Sequence, residues 1–149
     1  MCKIGKFLKK ELVACRAGIK TKEELFEYIA ENVEKYAGIS KDTVFKSLTE
    51  RETYGSTGIG KGVAVPHCRI KGSKEVVVQL ISLTEPMPYG SSDGEDVSLV
   101  FTLIVPEGNN LLYLKLISQI SVLCCNEKIR AGLIAAKDPE KMIGLISNL

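Results

Sequence analysis

The sequence predicts an α/β fold, a three-layer α/β/α sandwich in which helices cover both faces of a small mixed β-sheet. Two apolar runs rich in β-branched residues, Val76 to Leu83 and Val97 to Val105, have the composition of strands covered on both faces. Amphipathic stretches with helical spacing and capping residues lie on either side of these runs. Strands and helices combined within 149 residues indicate one domain, residues 1–149, with this layered architecture.

The N-terminal third predicts short elements followed by two helices. Residues 1–10 are expected to form an amphipathic turn, and residues 12–15 a short buried strand. The first helix is expected to begin after Thr21, which has the spacing of a capping box, and to stop at Gly38. Ser40 is expected to open a second helix, which ends where a glycine-rich segment begins.

The C-terminal part predicts one long connection and three helices. Residues 85–96, E-P-M-P-Y-G-S-S-D-G-E-D, are turn-forming types throughout and are expected to be an exposed connection. Asn109 or Asn110 is expected to cap a helix with an apolar inner face, made of Leu112, Leu116, Ile120 and Leu123. Asn126 and Asp138 are expected to start two further helices, the second with proline at its favoured first position.

Composition argues against several functional classes. The net charge is +2 with scattered basic residues, whereas nucleic-acid-binding proteins usually carry a basic stripe with aromatic platforms. No apolar run approaches the roughly 20 residues that a transmembrane helix needs, and no signal sequence is apparent. A zinc site is not expected, because the chain has one histidine and no Cys-x-x-Cys pair. We expect a cytoplasmic protein with reduced thiols at its five cysteines, Cys2, Cys15, Cys68, Cys124 and Cys125.

The glycine-rich segment, residues 51–69, is the most informative part of the chain: R-E-T-Y-G-S-T-G-I-G-K-G-V-A-V-P-H-C-R. Glycines leave backbone N–H groups uncovered and permit positive φ, so such a segment can curl round an anion. The apolar residues 63–65 predict a short strand that Pro66 stops, leaving the only histidine, His67, on a strand-end loop. An anion-binding loop beside an imidazole predicts phosphate chemistry on histidine.

The same segment contains a partial match to a nucleotide-binding loop. Residues 55–61 fit G-x-x-x-x-G-K, but the next position, which should be Ser or Thr to bind magnesium, is Gly62. The order is also inverted, because this segment leads from a helix into a strand. Residues 97–105 contain no acidic residue that could bind magnesium. The match therefore does not favour an ATPase or a kinase.

His67 on its own has two interpretations. A single histidine is often a partly buried, hydrogen-bonded residue without chemistry. A neutral imidazole is also a nucleophile, and its ordinary pKa near 6.5 leaves much of it neutral at cellular pH. Cys68 is not a natural partner, because adjacent side chains on an extended chain point to opposite faces. We expect Cys68 to be a small packing residue.

The run R-E-x-x-G-S-T-G-I-G-x-G-V-A-V-P-H resembles the histidine motif of the type-2 enzyme IIA domains of the bacterial sugar phosphotransferase system. These are the fructose and mannitol class, with a nitrogen-regulatory branch. The stretch T-K-E-E-L, the loop D-G-E-D-V-S-L-V-F and the segment L-I-V-P-E-G-N-N also fall where the family has them. The resemblance therefore covers essentially the whole chain.

The resemblance implies a phosphocarrier. His67 would accept a phosphoryl group on Nε2 from the phosphohistidine protein HPr and pass it to a cysteine of an enzyme IIB, for sugar uptake. The alternative is a nitrogen-regulatory module, whose phosphorylation state controls the binding of partner proteins. No metal, organic cofactor, nucleic acid or membrane insertion is implied. The partner-binding surface is expected around His67, including Leu111 and Leu112, and exposed apolar residues there would favour docking.

The resemblance also implies roles for other residues. Arg51 matches the active-site arginine, and a guanidinium can hold two phosphate oxygens; alternatively, it is a cation that complements a helix C-terminus. Ser56, Thr57 and Gly58 are expected to bind phosphate, although both hydroxyls could equally be ordinary turn residues. Tyr113 stands where family members usually have a second histidine. It can donate a hydrogen bond but supplies no positive charge, or it is simply a core-facing aromatic residue.

Overall fold

The computed structural model describes residues 4–148, so Met1 to Lys3 at the start of the expected N-terminal turn, with Cys2, and also Leu149 lie outside the described residues. Short 3-10 turns occupy Ile4–Phe7 and Lys10–Leu12. The strands and helices that follow are β1 Val13–Ala17, α1 Lys22–Ala37, α2 Lys41–Thr53, β2 Gly58–Gly60, β3 Val63–Ala64, β4 His67–Ile70, β5 Val77–Met87, β6 Val97–Pro106, α3 Asn110–Cys124, α4 Glu127–Ala135 and α5 Pro139–Ser147.

The strands in the described residues form one mixed sheet of six. β5 and β6 pair antiparallel at its centre, and β1 lies parallel to β5. β3 and β4 lie one after the other along the free side of β6, both parallel to it, and β2 pairs antiparallel with β3. The sheet is therefore mixed, as predicted.

Alternating side chains of the central strands divide the core into two layers. Phe101 and Leu103 of β6 face α3, α4 and α5, whereas Val100 and Ile104 face α1 and α2. All four side chains are fully buried. This two-sided burial explains why the strands are apolar along their whole length, and it confirms the predicted α/β/α sandwich.

The helix ends predicted from capping residues are largely confirmed. Thr21 Oγ1 accepts a hydrogen bond from the amide of Glu24, and Gly38 ends α1 in the left-handed conformation at φ 71°. Asn126 and Asp138 accept hydrogen bonds from the amides three residues later and so begin α4 and α5. Each cap satisfies an N–H group that has no partner inside its helix.

Two residues expected to cap helices stand at the right position but do not act as caps. Ser40 and Asn109 directly precede α2 and α3, yet neither side chain makes a capping hydrogen bond. Instead, Glu34 of the neighbouring helix accepts a hydrogen bond from the amide of Lys41 at 2.9 Å. A side chain from another element can therefore replace the local cap, and local sequence does not reveal this.

The prediction that residues 85–96 are an exposed connection is wrong for their first half. β5 continues to Met87, which pairs with Val97. Met87, Tyr89 and Ser91 are only 1%, 3% and 8% exposed. Every second residue from Met87 to Ser91 is thus buried, first at the end of β5 and then in the segment that follows it.

Part of the glycine-rich segment, which the sequence indicates can curl round an anion, is a regular strand. Gly58 to Gly60 form β2, and the tight turn that follows has positive φ at residues 60, 61 and 62. A Cβ atom at Gly58 would lie 2.0 Å from Ser91 Oγ and 2.9 Å from Ser91 Cβ. Gly58 is therefore required for close packing against the 85–96 segment.

Candidate active site at His67

His67 is the first residue of β4, rather than part of a strand-end loop as the sequence had led us to expect. Pro66 interrupts the edge of the sheet, but the chain continues along β6 with His67 opposite Leu103. The imidazole is half-buried on the face covered by α3. Cys68 lies on the opposite face, is 4% exposed and packs among core residues, which confirms its role as a packing residue.

A backbone hydrogen bond determines the tautomer of His67. Nδ1 lies 2.6 Å from the carbonyl oxygen of Val65. Because a carbonyl oxygen can only accept, Nδ1 must carry the proton and donate it. In the neutral ring, the lone pair is then on Nε2.

The surroundings of His67 keep the ring neutral. Burial lowers the pKa of His67 below its ordinary value of 6.5, and the positive charges of Arg51 and Arg69 lower it further. The Val65 hydrogen bond and Glu52 act in the opposite direction. The pKa is lowered overall, so the nucleophilic form with a free Nε2 predominates at neutral pH.

Arg51 lies in the last turn of α2, and its Nη1 donates to the Gly55 carbonyl oxygen at 3.0 Å. The side chain thus reaches beyond the helix to hold the start of the glycine-rich segment. Its positive charge is one of those that lower the pKa of His67. Within residues 4–148 no carboxylate forms an ion pair with Arg51, which leaves guanidinium N–H groups available for an anion.

Thr57 is occupied by structural hydrogen bonds rather than being open to a ligand. Its amide and its hydroxyl both donate to the Glu52 carboxylate, at 3.0 and 2.6 Å. The Thr57 oxygen therefore accepts the hydrogen bond from the Tyr89 hydroxyl at 2.8 Å. Glu52 also pairs with Lys22 at 2.9 Å, which ties the segment to the start of α1. Sequence reasoning missed Glu52 and Tyr89, although Glu52 directly follows Arg51 in the quoted motif.

The other expected phosphate ligands differ in their availability. The Gly58 amide donates to Ser56 Oγ at 3.1 Å, so it is already engaged. Ser56 itself is exposed and retains its hydroxyl proton. Of the three predicted ligands, Ser56 is the one that keeps a free donor.

Tyr113 and Arg69 extend the site beyond His67. The Tyr113 ring lies in α3 with its centroid 5.4 Å from that of His67, and the two planes are inclined at 58°. The guanidinium carbon of Arg69 lies 5.1 Å from the Tyr113 ring centroid, and Arg69 Nη1 donates to Asn110 Oδ1. Sequence reasoning missed Arg69, although its position two residues after His67 in a strand places both on one face.

A cavity of about 570 Å³ opens at this edge of the sheet, between the end of α2 and the start of α3. Arg51, Arg69 and Tyr113 line it, together with the acidic residues Glu50 and Glu107. Neither acidic side chain is paired with either arginine in the described part of the chain. The cavity thus combines two cations with the Tyr113 ring, which in turn lies beside the neutral imidazole of His67. This arrangement is suited to receiving an anionic group.

Large apolar side chains are exposed on the elements that form this cavity. Tyr54 lines it and is 88% exposed. Leu111 and Leu114 directly follow the lining residues Asn110 and Tyr113 in α3, and they are 80% and 63% exposed. Leu112 is half-buried against the core, so of the two leucines expected at the surface only Leu111 is fully presented to solvent.

Within residues 4–148, no group of three or more His, Cys, Asp or Glu side chains is arranged to hold a metal ion. None of the helices in this range combines the length and apolarity that crossing a membrane demands.

Comparison with known proteins agrees with the resemblance of the sequence motif. The sequence model of the family described as "Phosphoenolpyruvate-dependent sugar phosphotransferase system, EIIA 2" matches residues 6–149. A nitrogen regulatory protein of Pseudomonas aeruginosa is 32% identical over 127 residues, which cover 85% of this chain and 82% of that protein.

Solved structures agree with the fold. The crystal structure of the nitrogen regulatory protein IIA-Ntr from Neisseria meningitidis has a TM-score of 0.91 at 32% identity, and the match covers 96% of this chain and 98% of that chain. A complex of the mannitol enzyme IIA with phosphorylated enzyme IIB from Escherichia coli has a TM-score of 0.82 at 18% identity, covering 95% of this chain and 98% of that chain. The second comparison shows a shared fold.

Proposed function

Since the chain belongs to the EIIA 2 family of the phosphoenolpyruvate-dependent sugar phosphotransferase system, we propose that His67 is a phosphocarrier residue. It accepts a phosphoryl group on Nε2 from phospho-HPr and passes it to a cysteine of an enzyme IIB. The hydrogen bond from Nδ1 to the Val65 carbonyl oxygen carries this proposal, because it leaves Nε2 as the nucleophilic nitrogen. The lowered pKa of His67 supports it further.

The transfer proceeds from one nitrogen to another. The Nε2 lone pair forms the new bond to phosphorus, and the electrons of the breaking P–N bond stay on the donor imidazole. Nδ1 keeps its proton throughout, so the positive charge that develops on the His67 ring is stabilised by the Val65 carbonyl oxygen. Transfer onward reverses this sequence, with a cysteine thiolate as the incoming nucleophile.

Arg51 stabilises the transferred group. In a loose phosphoryl-transfer transition state, charge spreads over the three peripheral oxygens, and catalysis depends mainly on positioning and on neutralising that charge. The unpaired guanidinium of Arg51 can hold two of these oxygens in its fixed fork. Ser56 contributes one hydroxyl donor from the exposed start of the glycine-rich segment.

The apolar surface formed by Tyr54, Leu111 and Leu114 is the docking surface for donor and acceptor proteins. Tyr54 lines the cavity, and Leu111 and Leu114 adjoin two of its lining residues in α3, so a partner bound there can cover the site and exclude water. Mannitol enzyme IIA, which shares this fold, has been observed in complex with phosphorylated enzyme IIB. An acceptor of the same type is the main candidate here, in the service of sugar uptake.

Similarity to the two nitrogen regulatory proteins favours a second candidate function. Phosphorylation adds roughly two negative charges at His67, beside the apolar docking surface. A partner that binds one state better than the other would then respond to the phosphorylation state, without any transfer to a sugar transporter.

Phosphorylation with phosphoenolpyruvate, enzyme I and HPr, followed by intact mass measurement, tests the shared first step. We expect one acid-labile phosphoryl group on the protein, none on His67→Ala, and a phosphorylation rate at least about tenfold lower for Arg51→Gln. Failure of the folded protein to gain the group would contradict the proposal. Subsequent addition of an enzyme IIB separates the candidates, because the transport function requires transfer to its cysteine.

A further inference from the structure

Arg69 is an exposed cation whose guanidinium is held in place without an acidic partner. It lies over the Tyr113 ring and donates one hydrogen bond to Asn110. Ion pairs in the described residues are formed by other side chains, so the charge of Arg69 is not neutralised there. Of the five N–H donors of a guanidinium, most therefore remain free for a ligand.

The position of Arg69 relates it directly to His67. Residues two apart on a strand project from the same face, about 6.5 Å from each other along the chain. Tyr113 bridges the pair, because its ring centroid is 5.4 Å from that of His67 and 5.1 Å from the Arg69 guanidinium carbon. The cation also affects the protonation of His67 from this distance.

The charge of a phosphorylated His67 requires more than one cation for balance. A phosphoryl group carries about two negative charges at neutral pH, and Arg51 supplies one positive charge. Arg69 lines the same cavity as Arg51 and supplies the second. The carboxylates of Glu50 and Glu107 in the cavity make this balance more important, since they repel the incoming group.

We infer that Arg69 is a second phosphate-binding residue, which holds an oxygen of the phosphoryl group on His67 opposite Arg51, while Tyr113 serves as the aromatic platform that orients its guanidinium. This inference rests on the proposed phosphorylation of His67. It assigns to Tyr113 a contact through the face of its ring, so the phenolic hydroxyl is not needed.

The test compares Arg69→Gln and Arg69→Lys with Lys71→Gln, an exposed lysine just beyond β4 that serves as the matched loss of charge. Phosphorylation by phospho-HPr gives kcat and KM for each protein. We expect Arg69→Gln to lower kcat by about tenfold to a hundredfold, as for loss of a charge-assisted hydrogen bond. Arg69→Lys should recover part of the rate, and Lys71→Gln should change it less than about twofold.

Two further variants examine the platform. Tyr113→Phe keeps the aromatic face and should retain most of the rate. Tyr113→Leu removes it and should lower the rate in the same direction as Arg69→Gln, with little additional loss when the two are combined. Equal effects of the Phe and Leu variants would contradict the platform role.

A second measurement separates phosphate binding from a structural effect and from a failure of the donor. His67 is phosphorylated chemically with phosphoramidate, and the phosphoryl group is titrated by ³¹P NMR. Loss of a bound cation in Arg69→Gln should raise the pKa of that group, whereas Lys71→Gln should leave it unchanged. An unchanged titration together with unchanged kcat would overturn the role of Arg69. If phosphoramidate phosphorylates His67 and phospho-HPr does not, the proposed donor alone is overturned. If neither reagent phosphorylates His67, both proposals are overturned.

Discussion

At the scale of single residues, the state of His67 follows from its burial and its neighbours. Because it is the only histidine in the chain, its Cε1 proton gives one titrating NMR signal. We expect a pKa below 6.5, since burial and the charges of Arg51 and Arg69 disfavour the protonated ring. Arg51→Gln should raise this pKa, because it removes a positive charge.

The lowered pKa also sets the direction of two pH effects. As pH falls through the pKa of the folded protein, Nε2 becomes protonated and phosphorylation of His67 slows. Stability should change in the same direction, because below pH 6.5 the unfolded chain binds the proton more readily than the folded protein does. A titration midpoint at or above 6.5, or one that Arg51→Gln shifts downward, would contradict this account of the site.

Sequence reasoning proposed His67, Arg51 and Tyr113 as site residues but assigned too much to Thr57. The motif contains Arg51, Thr57 and His67 in order, yet it does not show which donors are already used. Thr57 is engaged because Glu52 turns back toward it across five positions of the chain. Arg69 was missed for the opposite reason, since an arginine in an edge strand is ordinary until α3 places an aromatic ring beneath it.

At the scale of elements, Gly58 and Gly60 of the motif serve the packing of β2 against residues 85–96. Gly58→Ala would bring a Cβ atom to 2.9 Å from Ser91 Cβ, which no rotation of the serine side chain relieves. We expect a loss of about 1 to 3 kcal/mol in the free energy of unfolding, measured with urea. Ser91→Gly should restore part of this loss when combined with Gly58→Ala, because it removes the atoms in conflict.

The same pair of variants distinguishes packing from anion binding. If Gly58 instead serves the close approach of the backbone to an anion, Gly58→Ala would slow phosphorylation of the folded protein and leave its stability unchanged. Gly18→Ala is a suitable control, because a Cβ atom there has no neighbour within 4 Å. Full stability of Gly58→Ala, equal to that of this control, would show that the segment can move aside and that the packing role is wrong.

Predictability differed between helices and strands. Helix starts at Thr21, Asn126 and Asp138 depend on a few adjacent residues, so capping patterns located them. β2 and β4 are three and four residues long and depend on pairing with distant strands, which local composition does not show. The continuation of β5 to Met87 was hidden for the same reason, because Glu85 and Pro86 are exposed and typical of turns, although Met87 still pairs with Val97.

At the scale of the whole molecule, the layered fold itself builds the site. Arg51 belongs to a helix on one face of the sheet, whereas Tyr113 belongs to a helix on the other, and His67 lies on an edge strand between them. Neither layer alone brings an imidazole between an arginine and an aromatic ring. The sandwich architecture was predictable from the apolar strands. That its two helix layers meet at β4 could be known only from the order of the strands in the sheet.

The docking surface at this meeting point leads to a final prediction, which concerns encounter with a partner rather than chemistry. Leu111 is 80% exposed and makes no contribution to either core layer, so Leu111→Glu should leave the free energy of unfolding within about 0.5 kcal/mol of the original. If partners dock there, the new charge is desolvated in the complex and is also repelled by any acidic group nearby. We expect KM for phospho-HPr to rise about tenfold or more, with kcat at saturation largely retained.

Val122→Glu provides the matched control, because Val122 is 71% exposed on the same helix, about 16 Å further along its axis. This substitution introduces the same charge on a similar apolar residue but lies away from the cavity. It should leave KM unchanged because it lies outside the proposed docking surface, whereas a general effect of net charge would raise KM for both variants alike. Equal increases in KM for the two variants would mean that net charge controls the encounter, and unchanged KM for Leu111→Glu would place the docking surface elsewhere on the molecule.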